Sequence, residues 1–271
     1  MKQVLILILI FLLSLLFFQC ENDITSKNYQ DIVIQAYLYE GETVTDIRIS
    51  QTLPIGDTAS AVTPINDAIV HLMKGDKLFE LSPSVGDSGY YHYDGNDLVI
   101  SENNEFTLKV NYFGKEAYAS TTIPPAPRNG TLTDTTLYIP QNMNFNFDSL
   151  RHEIKVSWDV DEDAMYFVYI RCIDPNPVKI QTPVPPRGLP GRMVEMPMSQ
   201  NFYTILFEDV AYYGRYQVMI YRINKEYVDL YISRNQNTRE LNEPLTNIVN
   251  GLGVFSAFNH VDLFFTVVPD R

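Results

Sequence analysis

Residues 31–50 read DIVIQAYLYEGETVTDIRIS, and their spacing decides the fold. IVIQAYLY carries a period of two rather than 3.6, EGE marks a turn, and DIRIS alternates again. In that last run Ile47 and Ile49 face one way, while Asp46, Arg48 and Ser50 face the other. Such alternation describes strands with one face on a core. Moving outward, AIVHLM, a KGDK turn and LFEL come next, then a GDSG turn and YYHY, then FTLKV and, after YFGK, AYASTTI. Seven short runs rich in Val, Ile, Thr and Tyr, punctuated by Gly, Asp and Asn, predict an immunoglobulin-like sandwich over 32–123.

IPPAPRNG, residues 123–130, interrupts the pattern. Its prolines remove backbone donors and stiffen the chain, so residues 124–134 read as a linker. A second β-rich unit is expected over 135–271. Ile154, Val156 and Trp158 alternate in EIKVSW; MYFVYIRC, FYTILF, YQVMIYRI and VDLFFTVV follow. The expected fold is therefore all-β: two immunoglobulin-like or fibronectin-like sandwiches in tandem, with one short helix in the second. The helix is assigned to 225–241, KEYVDLYISRNQNTREL, packed on the sandwich. Residues 174–197 hold seven of the 16 prolines and form a long loop, either partner-binding or a passive insertion.

The N-terminus is a processing signal. Lys2 is the only charge before an apolar run from Val4 to Phe18, and Cys20 is followed by Glu21, Asn22 and Asp23. Fifteen helical residues reach about 22 Å, short of a hydrocarbon core of roughly 30 Å. Residues 1–19 thus read as a lipoprotein signal peptide, Cys20 as the acylated first residue of the mature chain, and 20–31 as a tether. An uncut anchor and a plain secreted protein are the competing readings. With Cys20 carrying lipid, Cys172 has no partner for a disulfide; it sits in MYFVYIRC as a structural thiol.

The formal charge is −13, from 20 Lys+Arg against 33 Asp+Glu. That balance argues against nucleic acid, whose binding rests on neutralising phosphates. DVDED, residues 159–163, begins like a calcium loop, but an EF-hand needs Gly at its sixth position and Glu at its twelfth, where this chain has Ala164 and Ile170. It reads as a turn between strands. The four histidines, at 71, 92, 152 and 260, form no zinc pattern. His260 and Asp262 share one strand face, but no GxSxG, GxGxxG or Walker sequence accompanies them. No metal, cofactor or catalytic residue is assigned, and a non-enzymatic role is expected.

Eighteen tyrosines and 15 phenylalanines exceed what two modest cores need. Tyr suits interfaces, its ring being apolar and its hydroxyl wet. The candidate interaction surface comprises Tyr90, Tyr91 and Tyr93 in GYYHYDG, Tyr212 and Tyr213, and Pro185, Arg187 and Arg192 of the long loop. A glycan or a peptide is the class of ligand it suits.

Four segments carry a resemblance to a known family: AYLYEGETVTDIRISQTLPIGD, NDAIVHLMKG, NEFTLKVNYFGKEAYASTTIPPAP and NIVNGLGVFSAF. The chain from about Ile32 onward resembles a lipoprotein family of Bacteroidetes, a domain of unknown function whose genes often lie beside TonB-dependent outer-membrane receptors. The resemblance implies export to the outer membrane, a lipid anchor, and a binding or accessory role for such a receptor; an independent surface glycan binder or adhesin is the alternative. It carries over no catalytic residue. Gly114, Gly251 and Gly253 within these segments are candidates for turns or close backbone approach.

Overall fold

The computed structural model describes residues 31–52, 62–139, 153–181, 186, 192–194, 196–234 and 245–270. The first half follows its period-two pattern into seven strands: β1 (Ile32–Tyr39), β2 (Ile47–Gln51), β3 (Ile69–Lys74), β4 (Lys77–Pro83), β5 (Tyr90–His92), β6 (Glu105–Tyr112) and β7 (Lys115–Thr122). β1, β2 and β5 pair on one layer, and β4, β3, β6 and β7 on the other, joined where Ser82 and Pro83 of β4 meet His92 and Tyr91. Alternate residues of both layers, among them Ile34, Ile49, Leu72 and Leu108, are fully buried and form one core. This is the predicted sandwich.

The second half adds β8 (Arg128–Leu132), β9 (Thr136–Ile139), β10 (Ile154–Asp159), β11 (Met165–Cys172), β12 (Val178–Lys179), β13 (Arg192–Val194), β14 (Phe202–Ile205), β15 (Tyr212–Ile223), helix α1 (Lys225–Arg234) and β16 (Leu252–Pro269). A three-stranded sheet, β14-β10-β8, packs on β11, β15 and β16 around Ile154, Val156, Trp158, Val168, Val218 and Phe265.

β16 joins the halves. Its 18 residues extend about 60 Å. The first part pairs in parallel with β1, from Leu252 opposite Val33 to Phe258 opposite Tyr39, and the rest pairs with β15. Its odd-numbered residues serve both cores in turn: Phe255 and Ala257 enter the first, Phe265 and Val267 the second. The strand order β13-β11-β15-β16-β1-β2-β5-β4-β3-β6-β7 therefore runs unbroken through both halves. Parallel pairing needs a long crossover, which here is the whole chain between 39 and 252.

Two expectations change in detail, the linker at 124–134 and the loop at 174–197. Residues 128–132 of the proposed linker form β8 and pair with β10, and Pro124 and Pro127 are buried. Asn259 donates from its side-chain amide to the Pro124 carbonyl at 2.9 Å. The prolines stiffen a packed junction rather than a free spacer. The helix runs from Lys225 to Arg234, burying Val228; residues 235–241 lie outside the described residues. Within 174–197, β12 pairs with Tyr212 and Tyr213, and β13 with Tyr169–Arg171, so parts of the loop extend the sheet. Among the described residues no helix is long and apolar enough to cross a membrane.

Candidate interaction surface

Strand alternation sorts the tyrosines of GYYHYDG to different fates. Tyr91 is completely buried; its hydroxyl accepts from the Ala68 N–H at 3.0 Å and donates to the Ile65 carbonyl at 3.1 Å. Burial is the main cause of its raised phenol pKa. It pins the connection into β3 and is no ligand contact, so it leaves the candidate surface. Tyr90 points outward, with the Arg48 guanidinium 5.8 Å from its ring centre. Tyr93 packs edge-on against Phe79 and donates to Asp97 at 2.5 Å. Tyr212 and Tyr213 are half-buried on β15, and Tyr213 lines the second core. Pro185 and Arg187 lie outside the described residues; Arg192 begins β13, opposite Arg171. Among the described residues, the predicted ones are not gathered into one surface.

Part of the aromatic surplus lies in a seam that the sequence reading missed. Tyr37 and Tyr39 of β1, Phe167 of β11, Tyr221 of β15, Tyr227 of α1 and Phe258 of β16 pack together, with ring centres 4.7 to 6.4 Å apart. The five strand rings occupy the outer face of the shared sheet, and α1 covers them with Tyr227. Burial raises the phenols of Tyr39 and Tyr221, with Asp46 adding to the first; Tyr221 is pushed up to about 12. Tyr39 donates to Asp46 at 3.2 Å, and burial lifts that carboxyl despite the bond. Burial likewise raises Tyr216, in the second core.

An alkaline weakness follows. An unfolded phenol ionises near pH 10, so the stability these groups contribute is full below about pH 10 and falls as pH rises through about 12. Melting temperature is expected to drop steeply across that window, and less steeply in Tyr221→Phe. An unchanged slope in Tyr221→Phe would refute this assignment.

DVDED is the turn between β10 and β11, as read, but it is also a clamp. Asp161 accepts from both Arg128 and Arg222, tying the β8 segment to the end of β15. Desolvation alone would raise its pKa; the two guanidinium groups outweigh it and hold the carboxyl below the usual range. Beside the clamp lies an open cleft of about 310 Å³, bordered by Thr122, Pro124, Asp163, Arg222 and Lys225. Its cations are paired, Arg222 with Asp161 and Lys225 with Asp229. Among the described residues no three His, Cys, Asp or Glu side chains are placed to hold a metal.

One constellation matches none of the sequence motifs considered above. Ser84 Oγ lies 3.0 Å from His92 Nδ1, and His92 Nε2 lies 2.8 Å from Asp94 Oδ1. The order is that of nucleophile, base and orienting carboxylate. Hydrogen bonds from Ser82, and then His92, keep Asp94 below the usual carboxylate range. Yet the Asp94 side chain is 66% exposed, so water screens the array instead of the dry surroundings that make such groups reactive. The HxD spacing was visible in sequence; Ser84 arrives only through the β4–β5 pairing.

Geometry therefore defines an all-β protein of two immunoglobulin-like sandwiches built on one continuous strand. A model for a domain of unknown function, DUF4249, matches residues 20–263, and the chain belongs to that family. Among solved structures, the chain is similar to domains A168–A170 of titin, at 10% identity and a TM-score of 0.22, over 88% of this chain and 67% of that one. The fold assignment rests on the strand pairing, not on that likeness. The comparison with curated proteins gave no match.

Proposed function

We infer that this protein is an exported lipoprotein, anchored in the outer membrane through acylated Cys20, that serves a TonB-dependent receptor as a non-enzymatic binding or accessory component. The supporting observation is that the family match starts at Cys20, leaving the apolar run 1–19 outside the domain. The fold suits the role: β16 carries the second sandwich away from the start of β1, so a lipid at Cys20 tethers one end and leaves the other to present loops. Tethering converts a weak contact into a high effective concentration.

Labelled palmitate is expected to enter the protein and to be lost in Cys20→Ala. Affinity purification from detergent-solubilised envelopes is expected to recover an outer-membrane receptor barrel. Label that persists in Cys20→Ala defeats the anchor; recovery of the protein without any barrel under mild conditions defeats the partner.

A further inference from the structure

We propose that the end of the first sandwich where β1 begins inserts apolar side chains into the lipid surface, so that the domain stands on the membrane as well as being tied to it. This rests on the lipoprotein reading above.

Strand register places the relevant connections together. Ile32 at the start of β1 pairs with Gln51, Ser50 bridges Pro64, Ile69 pairs with Asn111, Tyr91 with Pro83, and Tyr112 with Lys115. The segment before β3, the β4–β5 turn and the β6–β7 hairpin therefore emerge at one end, beside the chain's entry into β1. Side-chain bonds tie them to one another. Asp31 N–H donates to Thr52 Oγ1 at 3.0 Å, Gln51 Nε2 to Tyr112 Oη at 3.2 Å, and Gly89 N–H to Asn66 Oδ1 at 2.8 Å.

That end displays Val62, Ile69, Val85 and Phe113 to solvent. Val85 and Phe113, 104% and 85% exposed, are the most exposed large apolar residues among those described. Phe113 has a second peculiarity. It sits at φ 47° in the hairpin turn with Gly114 at φ 77°, a conformation that Asn, Asp or Gly adopts with less strain. Its ring touches Tyr112, with centres 4.5 Å apart, and otherwise faces outward. A strained backbone that holds a phenylalanine in water calls for a function.

The occupant follows from where the chain leads. Ten residues lie between Cys20 and Asp31, so the contour across those eleven Cα–Cα steps cannot exceed about 40 Å whatever their conformation. A lipid on Cys20 keeps this end, and not the far end of β16, within that distance of the bilayer. Asp31, Asp67 and Asp87 outnumber the cations at this end, Lys115 of the hairpin and Arg48, whose guanidinium donates to the Ser88 carbonyl, so attraction to anionic headgroups is not the force; apolar insertion is. The contact is accordingly expected on zwitterionic lipid and to withstand salt.

The test places the full acylated chain in phosphatidylcholine vesicles whose acyl chains carry bromine, a quencher of nearby tryptophan. The chain's one tryptophan, Trp158, is buried in the second core and serves as the unquenched reference. Phe113→Trp is expected to lose at least twice as large a fraction of its emission as the wild type. Leu78→Trp, at the opposite end of the same sandwich beside the β3–β4 turn, is expected to match the wild type. Palmitate incorporation is measured on the same material. Label present with Phe113→Trp unquenched overturns the insertion and leaves the anchor standing. Equal quenching at positions 113 and 78 also overturns it, by showing that the domain lies flat. A blue shift of Phe113→Trp in native envelopes but not in vesicles overturns it in favour of a protein contact. Label absent removes the lipoprotein reading, and the insertion with it.

Discussion

Gly253→Ala is expected to lower stability by about 3–5 kcal/mol, near the top of what single substitutions do. Gly253 lies on β16 at φ +105°, directly opposite Ile34 of β1. A Cβ there would overlap the Ile34 carbonyl oxygen and lie 3.1 Å from the Ile34 nitrogen. Both are backbone atoms of Ile34, a fully buried residue of a central strand, which cannot step aside as a flexible side chain would. The added methyl group must disrupt the parallel β1–β16 ladder, one of the connections between the two halves. Gly114→Ala is the control: it has φ +77° but nothing within 4 Å of the new Cβ, so it carries the strain alone, about 1 kcal/mol. Urea titration of both variants checks this. Equal midpoints would mean that the close approach of Gly253 to β1 contributes nothing.

Phe258→Ala is expected to cost about 3–5 kcal/mol through lost burial and a cavity. The ring is 3% exposed and stacks on Tyr39 at 5.3 Å, with Tyr227 at 5.0 Å, Tyr37 at 5.7 Å, Phe167 at 6.1 Å and Tyr221 at 6.3 Å. No other side chain touches so many members of the seam. These neighbours come from β1, β11, β15 and α1, so the hole opens where all four meet. Water entering it would also bring the phenols of Tyr39 and Tyr221 back toward their ordinary range, because burial is what raises them. The variant should therefore show a lower melting temperature and earlier tyrosine ionisation together. A loss below about 1 kcal/mol, with unaltered ionisation, would show that the seam collapses around the gap and holds little together.

The two effects share a cause that the strand pattern did not disclose. IVIQAYLY shows that Ile34 and Tyr37 face opposite sides of a strand, and the structure agrees: Ile34 enters the first core and Tyr37 the seam. Nothing in those eight residues indicates that the strand pairs with residues 252–258. Similarly, GYYHYDG showed alternation, but the candidate surface grouped Tyr90, Tyr91 and Tyr93 by composition. Only Tyr90 faces outward without a place in the core; Tyr91 is a buried pin. Phe113 went unnoticed because YFGK looks like any turn, and its strain is a matter of backbone angle. Val85 and Ile69 are unremarkable residues until register brings their connections to one end.

Periodicity is a local property. Side chains alternate across a pleat whatever the strand's neighbours, so the strands of the first half, most of those in the second and the turn at 159–163 could be read from neighbouring residues alone. Pairing between segments more than 200 residues apart is different, since it depends on which faces remain uncovered once each sandwich has formed. The spine along β16, the seam beneath α1, the clamp on Asp161 and the apolar end beside Asp31 all arise at that second stage. They come from closing the chain on itself, and only the three-dimensional fold holds that information.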